Sequence, residues 1–210
     1  ASSTPKNLDA SDITFETLTL KGLYTSGNVS LENTANTKNI TVRNCIVTDF
    51  KTFMKIDQAA SGIVILYENT TFERISQFIL WTTAAMNKVV IRGCTVNAST
   101  CGATTNAAAA LFRVRSGSLE AYNNTFNGDS KNTPGYFECI DGASVVMYNT
   151  FVNVTKFNYT LTFNNNLYLD GESNVLGSVP SGVSGTGVTP DTNIYASEAE
   201  RAAGYAAFIG

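Results

Sequence analysis

The residues best suited to chemistry lie in four related segments of the chain: FMKID (53–57), FILWT (78–82), FRVRS (112–116) and FECID (137–141). If the phenylalanine of each segment points into a core, strand alternation places the residues one and three positions later outside. The polar or aromatic residues at these outer positions are Trp81, Arg113, Arg115 and Glu138. The apolar residues at the same positions are Met54, Ile56, Ile79 and Ile140. Because an aromatic ring beside planar cationic donors suits a sugar ring that carries a carboxylate, the first group predicts a carbohydrate-binding face.

Catalytic chemistry has less support in the sequence. The chain contains no histidine, which excludes Ser-His-Asp and Cys-His catalysis and zinc sites with histidine ligands. Asp57 and Asp141 belong to segments several repeats apart, and Glu138 has no second carboxylate in a neighbouring segment. The acidic residues therefore predict neither a Ca²⁺ site nor a pair of hydrolase carboxylates. We expect no cofactor and no metal.

A repeat positions these segments. Its pattern is a β-rich run, then Asn or Gly, then two residues and a large apolar residue, as in VRNCIV, YENTTF and IRGCTV. The closing apolar residues are Leu20, Val47, Phe72, Val96, Phe126, Phe151 and Tyr168. They recur about every 25 residues, except for a shorter last step, and a repeat of that length built from short strands indicates a solenoid.

The Asn or Gly of the repeat predicts a tight bend. Glycine adopts a positive φ without steric cost, and asparagine is one of the few other residues that does so readily. Stacked at a rung spacing of about 4.8 Å, the asparagines are also expected to form a ladder of side-chain amides. The residues assigned to this ladder are Asn44, Asn69, Gly93, Asn123, Asn149 and Asn165.

Each repeat also contains a β-rich run before the bend, such as GIVIL (62–66) or KVVI (88–91). The four segments described first supply a further strand after the bend. Each repeat then holds about three short parallel strands. The predicted fold is all-β: a right-handed parallel β-helix of about seven coils over residues 1–176.

The chain resembles the single-stranded right-handed β-helix proteins of the pectate-lyase superfamily, and among them the pectate-lyase-like surface proteins of Bacteroidetes. The resemblance is carried by the rungs VRNCIV, IRGCTV and YNNTF and covers roughly residues 13–170. It implies binding of acidic polysaccharides on one strand face. If the protein is an enzyme, the resemblance implies a polysaccharide lyase that uses Ca²⁺ and an Arg or Lys base.

The C-terminal part lacks the repeat. Residues 177–196 are rich in Gly, Ser, Thr and Pro, which predicts an extended segment. Residues 197–210 begin with a capping box, Ser197 and Glu200, which predicts a helix. Its apolar residues at helical spacing are Ala199, Ala202, Ala203, Ala206 and Ile209. We expect this stripe to cover an end of the solenoid, whose strand edges would otherwise be unpaired.

The four cysteines do not form an evident disulfide framework. Cys45 and Cys94 occupy the same place two coils apart, about 9–10 Å from each other, which exceeds the reach of a disulfide. Cys139 is predicted to be a core residue, and Cys101 pairs with Cys94 only if its loop folds back. We expect mostly free thiols.

Composition narrows the partners. A net charge of −3, with 17 acidic and 14 basic residues scattered along the chain, argues against nucleic acid. The sequence has no apolar run of the roughly 20 residues needed to span a bilayer, so we expect no membrane insertion. We expect an extracellular or cell-surface protein that binds a polysaccharide or glycan without catalysis. The alternatives are a structural subunit of a fibre, adhesin or surface layer, whose partner is further copies of the chain, and a polysaccharide lyase.

Overall fold

A computed structural model describes residues 6–22, 29–57, 62–82, 86–97, 110–115, 117–128, 135–139, 145–153, 162–180, 189 and 191–210. The strands are β1 (Lys6–Leu8), β2 (Asp12–Glu16), β3 (Thr19–Lys21), β4 (Val29–Asn33), β5 (Asn39–Arg43), β6 (Ile46–Ile56), β7 (Ile63–Glu68), β8 (Thr71–Thr82), β9 (Met86–Arg92), β10 (Thr95–Asn97), β11 (Ala110–Val114), β12 (Ser118–Tyr122), β13 (Thr125–Asn127), β14 (Gly135–Cys139), β15 (Val145–Met147), β16 (Thr150–Val152), β17 (Thr162–Asn164) and β18 (Leu167–Leu169). One helix, α1 (Glu198–Ile209), follows them.

The strands form a parallel β-helix, as the repeat predicts. A seven-stranded sheet, in the order β17-β15-β12-β9-β7-β5-β2, makes the first side. An eleven-stranded sheet makes the other sides, because β6 and β8 turn a corner at Asp49 and Arg74, which have positive φ. The paired strands are parallel throughout both sheets.

The register confirms the predicted repeat. Leu20 pairs with Val47, Val47 with Phe72, and the same column continues to Tyr168. Within it the rings of Phe126 and Phe151 stack with centroids 5.1 Å apart. Stacked coils therefore bury one continuous core that no single coil could form. Fewer complete coils are present than the seven expected. Among the described residues, the last pairs of strands, β15–β16 and β17–β18, form only two sides of a coil.

The predicted bends are present. The residues at the bend between the first and second strands have φ between 48° and 64°: Thr17, Asn44, Asn69, Gly93, Asn123, Tyr148 and Asn165. One member differs from the prediction, since Tyr148 rather than Asn149 occupies the bend of its coil. The copy that begins with Thr17 is the degenerate first repeat.

Gly93 should be the least replaceable of these bend residues. A Cβ at this position would lie 2.3 Å from Oδ1 of Asn69, and φ is +64°. We expect Gly93→Ala to lower the free energy of unfolding in urea by about 1–2 kcal/mol. Gly62→Ala is the matched control, because its φ is +74° but nothing lies within 4 Å of the added Cβ. An equal loss for both variants would contradict the role of the Asn69 contact.

The asparagine ladder is real but lies one residue further along the chain than predicted. Its buried amides are Asn124, Asn149 and Asn166, with Thr70 at the same place in an earlier coil. Oδ1 of Asn149 accepts hydrogen bonds from the backbone N–H (3.0 Å) and Nδ2 (2.9 Å) of Asn124. Of the residues assigned to the ladder from sequence, only Asn149 belongs to it.

The other assigned residues are bend residues: Asn44, Asn69, Gly93, Asn123 and Asn165. The correction has a geometric cause. The side chain at a bend residue with positive φ points away from the core, whereas the next residue, which directly precedes the second strand, points inward. Asn44 and Asn69 are accordingly exposed, and the residues that follow them, Cys45 and Thr70, are buried.

The thiols of Cys45 and Cys94 are free, as predicted for this pair. Burial raises the pKa of the Cys94 thiol to about 12. Cys101 and the side chain of Cys139 lie outside the described residues.

The C-terminal end of the ladder is closed by Asp191. Its Oδ2 accepts hydrogen bonds from the backbone N–H and Nδ2 of Asn166, both at 2.9 Å, and its Oδ1 accepts one from the backbone N–H of Asn165 at 3.0 Å. Leu176, Val179 and Ile194 pack against the core at this end. The segment before the helix, rather than the helix itself, therefore covers the end of the solenoid.

Helix α1 lies along the side of the coils, so the predicted packing face is wrong. Ser197 caps it, accepting a hydrogen bond from the backbone N–H of Glu200 at 3.2 Å, as the capping box predicts. The apolar stripe is exposed instead of buried: Ala199, Ala202, Ala203, Ala206 and Ile209. The helix packs through Arg201, Gly204 and Tyr205. The surface it meets consists of polar bend side chains and aromatic rings, which hydrogen-bond Arg201 and contact Tyr205 but give alanine methyl groups no hydrogen-bond partner. No helix in the described part of the chain is long and apolar enough to span a bilayer.

Candidate functional site

Four residues on consecutive strands form one column of the large sheet. Lys55 of β6 pairs with Trp81 of β8, Trp81 with Arg113 of β11, and Arg113 with Glu138 of β14. Neighbouring members are one rung apart, about 4.8 Å. The structure thus brings Trp81, Arg113 and the backbone of Glu138 together in the order that the sequence predicts. We call Lys55, Trp81, Arg113 and Glu138 the outer column.

Arg115 lies just beyond this column. It follows the end of β11 and is exposed, and its backbone N–H donates to Oγ1 of the buried Thr82 at 2.8 Å. This bond fixes the backbone next to Trp81. The Arg115 side chain therefore starts two residues after Arg113, at the edge of the same side of the solenoid.

Three apolar residues expected outside are buried in the core. Met54, Ile56 and Ile79 are each 0% exposed, and the Tyr67 hydroxyl donates to the Met54 sulfur at 3.6 Å. In β6 the inward alternation runs regularly through Phe50, Thr52, Met54 and Ile56, so Phe53, although buried, does not set its frame. The extra residue in the pairing of β6 with β8 lies in β8, where Ile75 and Phe78 face Phe50 and Thr52. Ile140 lies outside the described residues.

The alternation from Phe50 places Lys55, which the alternation from Phe53 assigns to the core, in the outer column. Its ammonium pairs with Glu32 at 3.5 Å and with Asp57, and it lies 5.3 Å from the centre of the Trp81 ring. The hydrogen bond to Asp57 holds the pKa of Lys55 above its ordinary value, although burial opposes this. Lys55 is therefore a fixed cation at neutral pH and a poor proton acceptor.

Trp81 is half-buried and held in place. Phe78 stacks against it with ring centroids 5.5 Å apart and an interplanar angle of 27°. The indole Nε1–H is buried and has no hydrogen-bond acceptor within the part of the chain that the structure describes. An indole fixed in this way, with a cation on one side and Arg113 on the next strand, can offer its exposed ring atoms to a bound sugar.

The column carries charged groups on both sides of Trp81. On one side the Lys55 ammonium pairs with Glu32 and Asp57. On the other side Arg113 lies on the next strand, and a guanidinium is a planar donor of the kind that suits a carboxylate.

Metal chemistry is not suggested by the residues described. No group of three or more His, Cys, Asp or Glu side chains among them could hold a metal ion. The pairing of Lys55 is the feature that sequence reasoning missed. Its signal was the alternation that starts at Phe50, which places Lys51 and Lys55 on one side of the strand and Met54 and Ile56 on the other.

The comparisons with known proteins do not add a family. No family model, curated protein or solved structure matches the chain.

Proposed function

We propose that this β-helix is an extracellular or cell-surface protein that binds an acidic polysaccharide without cleaving it. The observation that carries the proposal is the outer column, in which Trp81 is aligned with Lys55 and Arg113 on consecutive rungs. A polysaccharide running along the solenoid axis would pass the Lys55 ammonium, the Trp81 ring and then the strand that carries Arg113. A relationship to pectate-lyase-like β-helix proteins of Bacteroidetes surfaces is part of the proposal, supported by the parallel coils and the asparagine ladder.

Binding is favoured over catalysis by the state of Lys55. The implied lyase needs an Arg or Lys base, and Lys55, the lysine of the outer column, is ion-paired with its pKa held above the ordinary value by Asp57, which disfavours it in that role. Binding is favoured over a fibre subunit by β1. Lys6–Leu8, which strand donation would supply to a neighbour, pairs with β4 of its own chain.

The double variant Arg113→Ala, Arg115→Ala tests the site. We expect its affinity for polygalacturonate to fall about tenfold or more, which corresponds to roughly 1.4 kcal/mol. Affinity electrophoresis in gels that contain the polymer measures this change. The matched control is Arg43→Ala, Arg74→Ala, which removes the same charge from exposed ion pairs with Glu16 and Asp49.

Two outcomes would count against the proposal. Equal losses for the two double variants would show attraction by net charge alone, without a site. No retardation of the unmodified protein on any acidic polysaccharide would remove polysaccharide binding itself.

A further inference from the structure

A second group of aromatic rings lies where α1 meets the first sheet. The Phe208 ring lies 5.5 Å from Tyr122 of β12 and 5.1 Å from Tyr148. Tyr148 also contacts Tyr205 at 6.0 Å. The first sheet and the β8–β11 face are different sides of the solenoid, so this group is separate from the outer column.

Phe208 stays partly open to solvent. The residue is 50% exposed although the rings of Tyr122 and Tyr148 contact it, and Tyr122 is half-buried. An open aromatic face beside hydrogen-bonding groups is a feature that sugar binding uses, because the ring covers the apolar C–H face and the polar groups bind hydroxyls.

Polar groups border these rings. The Tyr122 hydroxyl is hydrogen-bonded to Glu120, and Glu120 pairs with Lys88 at 2.7 Å. Arg92 is the direct neighbour of Tyr122 on β9 and pairs with Glu68 at 2.7 Å. Each cation of this rim has a carboxylate partner within the chain, so the rim offers donors and acceptors without a surplus of positive charge.

From this arrangement we infer a second binding site, formed by Phe208 and Tyr122 with Glu120 and Arg92, for a neutral sugar ring. The paired charges of this rim favour a neutral ring over a charged one. The inference does not depend on the outer column. A chain with both sites would bind neutral and acidic glycans on two sides of one solenoid, which raises its avidity for mixed polysaccharides.

The substitution Phe208→Ala tests this site against a control in the next residue. The probes are a β-glucan, a xylan and a mannan in affinity electrophoresis. We expect retardation on at least one polymer, weakened about fivefold by Phe208→Ala and less than about twofold by Ile209→Ala. Ile209 is the matched control because it is 64% exposed at the same helix end and lacks a ring.

Further variants keep the test decisive if Phe208→Ala loosens the helix. Phe208→Tyr keeps a ring and should retain most of the binding, while circular dichroism checks the helix in each variant. The inference is overturned if no neutral polymer retards the unmodified protein, or if Ile209→Ala weakens binding as much as Phe208→Ala.

Discussion

Replacing Asn149 with alanine should cost about 3–5 kcal/mol of the free energy of unfolding, the largest effect we expect from a polar residue of this chain. Asn149 is 0% exposed. Its Nδ2 donates to the carbonyl oxygen of Ala121 at 3.0 Å and to Oδ1 of Asn166 at 3.1 Å. Its Oδ1 accepts from Asn124, so alanine would leave groups without partners on two neighbouring coils.

The loss follows from burial rather than from the number of hydrogen bonds. An amide in the core cannot replace its partner with water, and each orphaned group costs about 1–3 kcal/mol. Urea unfolding of Asn149→Ala measures the total. Asn44→Gly is the control, since Asn44 is an exposed bend residue with φ of 54° and glycine accepts that φ without cost. A loss for Asn149→Ala as small as that of Asn44→Gly would show that the ladder does not stabilise the coils.

Arg201→Ala should release the helix from the coils and lower the free energy of unfolding by about 2–3 kcal/mol. Arg201 is 6% exposed. Its Nη1 donates to Oδ1 of Asn123 at 2.8 Å, and the same nitrogen reaches the carbonyl oxygen of Tyr148. Its Nε donates to Glu198 at 3.0 Å. One guanidinium thus connects the helix to the bends of two successive coils, and hydrogen exchange of the helix amides would report its release.

The pH dependence of this docking separates a specific role of Arg201 from a loss of packing. Burial raises the pKa of Glu198, but hydrogen bonds from Arg201 and Thr150 outweigh burial and hold the pKa below its ordinary value. A lowered pKa in the folded state means that the stabilisation is present above the unfolded pKa and is lost as the pH falls through the folded value. Helix protection should therefore decrease in acid, and this dependence should weaken in Arg201→Ala.

Arg201→Lys is the matched variant for this prediction. Lysine keeps the charge but cannot reach Asn123, Tyr148 and Glu198 with one planar group. We expect it to recover only part of the stability. Full recovery would contradict the geometry described for the guanidinium.

The fold could be predicted from the sequence because every coil repeats the same pattern of inward apolar residues and bend residues. The closing apolar residues from Leu20 to Tyr168 pair in the predicted register, since each must cover its neighbour in the core. The bends were equally readable, because few residues tolerate a positive φ. The ladder was misplaced by one residue, since Asn123 and Asn124 are both asparagine and only the backbone conformation decides which one faces inward.

The errors at the candidate site and helix have local causes. Taking Phe53 as the inward residue reversed the expected positions of Met54 and Lys55, because Phe53 and Met54 are both buried and only the alternation from Phe50 gives the correct frame. We expected the alanine stripe to be the packing face of the helix. Periodicity shows where the apolar residues of a helix lie, but it does not show which face packs against the coils. Tyr148 at a strained bend makes sense only with Tyr205 and Phe208 packed on it.

The proposed polysaccharide site is tested most directly by fluorescence, because Trp81 is the only tryptophan of the chain. Titration of the protein with polygalacturonate oligosaccharides should change the indole emission in a saturable way. The double variant Arg113→Ala, Arg115→Ala should need about ten times more ligand for the same change. Binding detected by calorimetry without any change in Trp81 emission would contradict a site at the outer column.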